Sequence, residues 1–191
     1  MTQRRNLSQA KILQATRDLA KEIGMSQITF PKLAASLNIK YPSLYNHFKN
    51  MGEVKFILTK ELIDQLKERL LSGLVGKSGP DALRTYCQLY HDFAFENASV
   101  YELLINIPHS HSEVLIEKNM ELNRILQKIM AYYPLDEVSI LNKSRMLRSM
   151  LHGYISMRFL GYFQNNLSPA DDSYHVMVEE FISLLEELPK K

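Results

Sequence analysis

The residues best suited to chemistry lie between Thr29 and Phe48, a stretch that reads TFPKLAASLNIKYPSLYNHF. Leu33, Ala34 and Leu37 fall three and four apart, and so do Leu44 and Phe48, so each run has one inward stripe. Lys32, Tyr41, Ser43, Asn46 and His47 are left pointing outward, with Tyr45 at the boundary and Lys40 and Lys49 flanking them. Amides, hydroxyls and ammonium groups of this kind meet base edges and phosphate oxygens. The chemistry predicted is recognition of a nucleic-acid duplex.

To present that face, the stretch must fold as two short helices joined at a corner. Thr29 can cap the first helix through its hydroxyl, and Pro31 sits in the first turn, where a missing N–H is tolerated. Asn38 stands where the chain must reverse, and Asn accepts the left-handed conformation such a corner needs. Ile39 plugs the corner. The second helix is expected from Tyr41, with Pro42 in its first turn. This is the layout of a helix-turn-helix.

Charge is distributed to match. The chain is nearly neutral at +2, yet residues 1–60 hold ten Lys and Arg against three acids, a net of +7, which leaves −5 for residues 61–191. A basic head on an acidic body is the footprint expected when one end meets phosphates.

With 191 residues, 46% of them hydrophobic, the chain is large enough to bury about 70% of its unfolded surface. Cys87 is the only cysteine, so no intramolecular disulfide forms and a reducing compartment is expected. The opening MTQRRNLSQAK has no apolar core, and no apolar run approaches the roughly 20 residues that span a bilayer. A soluble, cytoplasmic protein with no membrane partner is expected.

The remaining elements are read as helices. A scaffold helix is expected over about Ser8 to Ile23, with Ile12, Ala15, Leu19 and Ile23 on one face and Gly24 as its stop. A connector runs from about Met51 to Leu74 and breaks in the GKSGP of residues 76–80. An aromatic-rich helix follows over Asp81 to Asn97. Ser99 with Glu102 and Ser110 with Glu113 fit the capping box, announcing a short helix and then one ending before Pro134. The last two helices are expected over about Glu137 to Phe163 and Pro169 to Leu188, with Ser168 and Asp171 as a capping pair and Pro189 as the stop. With no convincing strand, the expected fold is all-α, of about nine helices.

The Glu137–Phe163 helix is apolar around nearly its whole circumference, so it must be buried on more than one side. Small residues at Ser149, Gly153 and Ser156 would let a second helix approach. Together with the apolar stripe of the last helix they predict a two-fold four-helix interface through Met150, Gly153, Met157, Leu160, Val178, Phe181 and Leu185. A homodimer also suits paired recognition helices. Tyr86, Tyr90, Phe93, Tyr101 and Met120 form a candidate lining for a hydrophobic or aromatic ligand.

At this level the chain resembles the TetR family of bacterial transcriptional regulators. The likeness is close over the first fifty residues, where Ile12, Ala15, Leu19, Gly24, Thr29, Leu33, Ala34, Leu37, Ile39, Leu44, Tyr45, His47 and Phe48 keep the family's order and spacing. It is looser over Tyr90 to Asn97 and Arg145 to Gly153, which resemble a subclass marked by a His152-Gly153 pair. The resemblance implies residues 1–50 as a DNA-binding domain and 51–191 as a ligand-binding and dimerisation domain, in a homodimeric repressor released from its operator by a small molecule. It places Thr29 and Tyr45 on phosphates, and Lys40, Tyr41, Pro42, Ser43 and Asn46 on bases or sugar-phosphate. Two positions depart from the pattern. Lys40 stands where the family has a capping Ser or Thr, and Met51-Gly52 where it has a Lys and an acid. Lys49 or Lys55 would then supply the missing phosphate contact.

No nucleophile elbow, phosphate-cradling loop or metal-ligand spacing is spelled out, so neither an enzyme nor a cofactor is expected. His109, His111 and Glu113 read as polar loop rather than a metal site, and His91 and His152 read as structural. The competing reading is a helical adaptor whose basic head meets an acidic partner without reading sequence. A sequence-dependent affinity for duplex DNA separates the two.

Overall fold

In the computed structural model, residues 7–165 and 167–188 are described. Among them there are eight α-helices and four short 3-10 segments, and no strand. The all-α expectation holds, with Tyr41–Asn46 standing as the ninth helical element. No helix among the described residues is long and apolar enough to cross a membrane.

The helices are α1 (Gln9–Ile23), α2 (Phe30–Ser36), α3 (Met51–Gly73), α4 (Gly79–Glu96), α5 (Glu102–Ile105), α6 (Glu113–Met130), α7 (Glu137–Phe159) and α8 (Ala170–Glu186). Two compact units form, one from residues 1–63 and 97–116, the other from 64–96 and 117–191. This division differs from a boundary after residue 50. The opening turns of α3 bury Val54 and Leu58 within the first unit, and α1 touches the segment Ala98–Val100.

The first unit packs Ile12, Leu33, Leu44, Phe48, Val54 and Leu58 at its centre, each at most 1% exposed. The buried face of α1 is rotated from the expected one. It consists of Ile12, Leu13, Thr16 and Ala20, with Ala15, Leu19 and Ile23 half-buried. Thr16 can turn inward because its hydroxyl donates to the Ile12 carbonyl at 2.8 Å, leaving no polar atom without a partner.

The second unit is built on α4, α7 and α8, which pack pairwise around Leu83, Tyr86, Leu147, Leu151, Ile155, Phe181 and Ile182. Tyr174 donates to the buried Cys87 carbonyl at 2.7 Å, tying α8 to α4. Arg84 clamps Glu179 through two nitrogens at 2.8 and 2.7 Å. Lys67–Glu121 and Lys118–Asp64 join α3 to α6.

Several expected helix ends shift. The helix expected to reach Phe163 stops at Phe159, because Gly161 turns left-handed. Gly161 N–H then donates to the Arg158 carbonyl and Tyr162 N–H to the Met157 carbonyl, closing a Schellman cap. Tyr162 and Phe163 therefore lie outside the helix. Neither Ser99 nor Ser168 caps a helix through its side chain. Ser110 donates to the Ile107 carbonyl, while Ser112 accepts from the Leu115 N–H and caps α6. Asp171 instead meets Arg158 and Tyr154. Pro189 lies outside the described residues.

Gly79 is required twice over. Its φ is +55, and a Cβ there would sit 2.7 Å from the Tyr132 ring. Gly24, with φ +78, has nothing within 4 Å of its missing Cβ. Gly79→Ala should therefore lose about 2–3 kcal/mol in urea unfolding and Gly24→Ala only about 1 kcal/mol. Equal losses would show that Tyr132 moves aside freely.

Candidate nucleic-acid interface

The recognition segment is built from its two ends inward. Thr29 caps α2 by accepting the Lys32 N–H, and α2 ends where Asn38 turns left-handed at φ +52. Asn38 N–H donates to the Ala35 carbonyl and Ile39 N–H to the Ala34 carbonyl, both at 3.0 Å, a Schellman corner with Asn in the usual glycine place. The sequence expectation for Asn38 holds, and Ile39 is half-buried beside the corner.

The second element is tighter than expected. Tyr41–Asn46 winds as a 3-10 turn. Pro42 brings no N–H, Lys40 offers no side-chain acceptor at the start, and the turn closes by i to i−3 bonds such as Ser43 N–H to the Lys40 carbonyl at 2.9 Å. Leu44 is fully buried beneath it, while Tyr41 and Tyr45 stand 50% and 56% exposed. Pro42, Asn46, Lys40, Lys32 and Lys49 are exposed, and Ser43 and His47 are half-buried. Tyr45 lies further out than its boundary position implied. Its ring meets Phe30 edge-on at 5.1 Å and Tyr41 at 6.3 Å, which holds the aromatic pair upright with its hydroxyls free to reach outward.

Two supports were not recognised in the sequence. Gln9 reaches from α1 to donate to the His47 carbonyl at 2.9 Å, pinning the end of the turn; a single Gln carries no pattern that would announce this. Asn50 accepts the Glu53 N–H at 3.0 Å, and Glu53 in turn accepts the Lys49 N–H. That reciprocal cap is visible in retrospect as an Asn-x-x-Glu spacing. It also explains Gly52, because a Cβ at residue 52 would fall 2.9 Å from the Asn50 side-chain oxygen. Lys49 remains exposed beside the turn, whereas Lys55 is half-buried on α3.

The other candidate residues are placed as follows. Tyr86, Tyr90 and Phe93 are buried in the second unit, with Tyr86 stacked on Tyr90 at 6.0 Å. Tyr101 is buried in the first unit, and Met120 is 46% exposed. Of the five, Tyr86 and Tyr90 are in ring contact. Of the expected interface set, Val178, Phe181 and Leu185 are buried in the protomer's own core, while Met157 and Leu160 are 40% and 75% exposed. Gly153 is exposed and Met150 half-buried. On α8 the outward apolar residues are Val176 and Leu184. Among the described residues, no group of three or more His, Cys, Asp or Glu could hold a metal ion.

Residues 12–54 match the model of the tetR family of bacterial regulatory proteins, and residues 83–181 match the tetracyclin repressor-like C-terminal domain. The chain belongs to the tetR family. It is 25% identical over 155 residues to the uncharacterized HTH-type transcriptional regulator YobS of Bacillus subtilis (strain 168), a match covering 81% of this chain and 80% of that protein. Among solved structures, a Rhodococcus protein of unknown function superposes with a TM-score of 0.77 at 14% identity, covering 97% of this chain and 99% of that one. The TetR family transcriptional regulator PfmR from Thermus thermophilus gives 0.71 at 18% identity, over 94% and 100%. At such identities these two likenesses speak for a shared fold. As a tetR-family member with a helix-turn-helix head, the protein is a DNA-binding transcriptional regulator.

His152 of the His-Gly pair lies 3.3 Å from the Tyr90 hydroxyl. Burial, with the Arg148 guanidinium nearby, pushes its imidazole down to about 4 from 6.5. The neutral ring is the folded form, so its contribution is complete above pH ~6.5 and is lost as pH falls through ~4, since the unfolded chain takes up the proton first. His152→Gln should remove about 2–3 kcal/mol of acid destabilisation across that window. Urea unfolding at pH 7 and pH 4.5 checks this; an acid slope unchanged by the substitution would assign the sensitivity elsewhere.

Proposed function

We propose that the protein is a homodimeric repressor that reads an operator through the exposed face of Tyr41–Asn46 and is released by a small hydrophobic or aromatic effector. The observation that carries the reading is the arrangement of that turn. Its apolar side is consumed by Leu44, so Tyr41, Pro42, Tyr45 and Asn46 are held outward on a rigid base. Thr29, Lys32, Lys40 and Lys49 surround them as phosphate contacts, with Ser43 and His47 at the rim. Lys49, exposed beside the reciprocal cap of α3, is the residue that takes over the phosphate contact absent at Met51. Catalysis has no part in this reading.

Dimerisation is supported by the outward side of α7. Asn142, Arg145, Met146, Ser149, Gly153 and Met157 are exposed along one helical stripe that leads to Leu160. Gly153 has no positive φ and nothing within 4 Å of a Cβ, so the protomer itself does not require glycine there. A mid-helix glycine lowers stability by about 0.5–1 kcal/mol relative to alanine, a loss that close approach of a second α7 would offset. The proposed face is this stripe with Val176 and Leu184 of α8, in place of the inward Val178, Phe181 and Leu185. For the effector, the aromatic cluster of the second unit supports an apolar ligand. There the His91 ring lies 4.4 Å from Phe95 and 4.6 Å from Tyr174, and its buried Nε2, without a hydrogen-bond partner among the described residues, leaves one polar contact to a largely aromatic ligand.

Selection of duplexes from a random pool should recover a two-fold symmetric site, bound with a log Kd against log salt slope of about 0.9 per neutralised phosphate. Tyr45→Phe keeps the edge contact with Phe30 and should weaken all duplexes alike, whereas Asn46→Ala should change the preferred base at one position of each half-site by about 1–3 kcal/mol. Equal affinity for every duplex sinks the repressor reading. In sedimentation, Gly153→Leu and Met157→Glu should each turn dimer into monomer with helical signal retained; a dimer that survives both substitutions places the interface elsewhere.

A further inference from the structure

The first unit contains a cleft of about 370 Å³ between the opening turns of α3 and the segment 102–115. Phe56, Leu103 and Leu115 form its apolar floor, and Lys55, Glu102 and Asn106 bring a cation, an acid and an amide to its wall. Elsewhere along α3 charges find partners: Arg17 with Glu61, Lys118 with Asp64, and Lys67 with Glu121. The side chains of Lys55 and Glu102 make no ion pair or hydrogen bond among the described residues, although both line the same concavity. They face one cleft without closing on each other.

Two of the hydroxyls in the wall are already committed as donors. Thr59 donates to the Lys55 carbonyl at 2.7 Å, and Ser110 to the Ile107 carbonyl at 2.6 Å. Thr59 still offers its lone pairs, and Ser110, which also accepts the Ser112 N–H at 3.2 Å, offers one; these suit a cationic donor beside the Glu102 carboxylate. A purely anionic ligand would be repelled by Glu102, and a purely cationic one by Lys55. The volume lies at the small end of ligand sites, room for an amino acid and too little for an extended peptide.

We propose that this cleft binds a free α-amino acid or an equally compact zwitterion. Its carboxylate lies on Lys55, its ammonium on Glu102, and its side chain over Phe56, Leu103 and Leu115. Lys55 and Phe56 sit in the second turn of α3, the helix whose capped start follows the recognition turn directly in sequence.

The test is thermal unfolding of the full chain with each of the twenty amino acids, alongside the decarboxylated amine and the deaminated acid of each. At least one amino acid should raise the midpoint by about 5 °C at a hundredfold excess over its Kd, and neither of its two counterparts should. Lys55→Met and Glu102→Gln should each weaken that ligand at least about tenfold. Asn106→Ala, at an exposed position, should weaken it several-fold and serves if a charge variant fails to fold. No shift with any amino acid overturns the site; equal stabilisation by the deaminated acid, unaffected by Glu102→Gln, overturns the zwitterion assignment. Because binding is read without DNA, failure here is distinct from failure of operator recognition, which gel shift measures separately.

Discussion

Burial of Leu44 is the interaction on which the reading face depends. A six-residue 3-10 turn has no stability of its own, since its hydrogen bonds are strained and too few to offset the entropy of ordering it. Leu44 and Phe48, with Leu33 and Ile12 in the same core, hold the turn from below. The Asn38 corner sets its direction, and Gln9 fastens the His47 carbonyl at its end. Each support lies on the inner side. The outer residues carry little of the folding free energy and are free to be chosen for what they touch.

The same division appears in α7, which carries one buried and one exposed face. Leu147, Leu151 and Ile155 fill the second unit, while the stripe through Ser149, Gly153 and Met157 is left to solvent in the protomer. The inward stripe of α7 is satisfied by α4 and α8, and its outward one is the face proposed for a second copy.

The parts legible in the sequence were those set by local geometry. Thr29, Asn38 and Gly24 act where their intrinsic preferences place them, and the apolar spacing of the connector and of the last two helices located those elements to within a few residues. The parts that were not legible depend on neighbours remote in sequence. The rotated face of α1 could not be read from periodicity alone, because Thr16 counts as polar until its hydroxyl is seen to bond within its own helix. Val178, Phe181 and Leu185 form a stripe that fits an interface or a core equally well, and only the packing of α8 on α4 and α7 decides for the core. The candidate ligand-lining aromatics were grouped by type, and type does not say that Tyr101 joins the first unit while Tyr86, Tyr90 and Phe93 join the second.

The sequence by itself determined the helical class, the helix-turn-helix with its Asn38 corner and its basic surroundings, and the family, because these rest on residue propensity, 3.6-residue periodicity and charge, all local or additive. Only the tertiary structure decided that the recognition element is a 3-10 turn, that residues 97–116 belong with the head, that Gly52 makes room for the Asn50 cap, and that Lys55 faces a cleft beside Glu102. Each of those follows from which chain segments exclude water together, and that is a property of the packed whole.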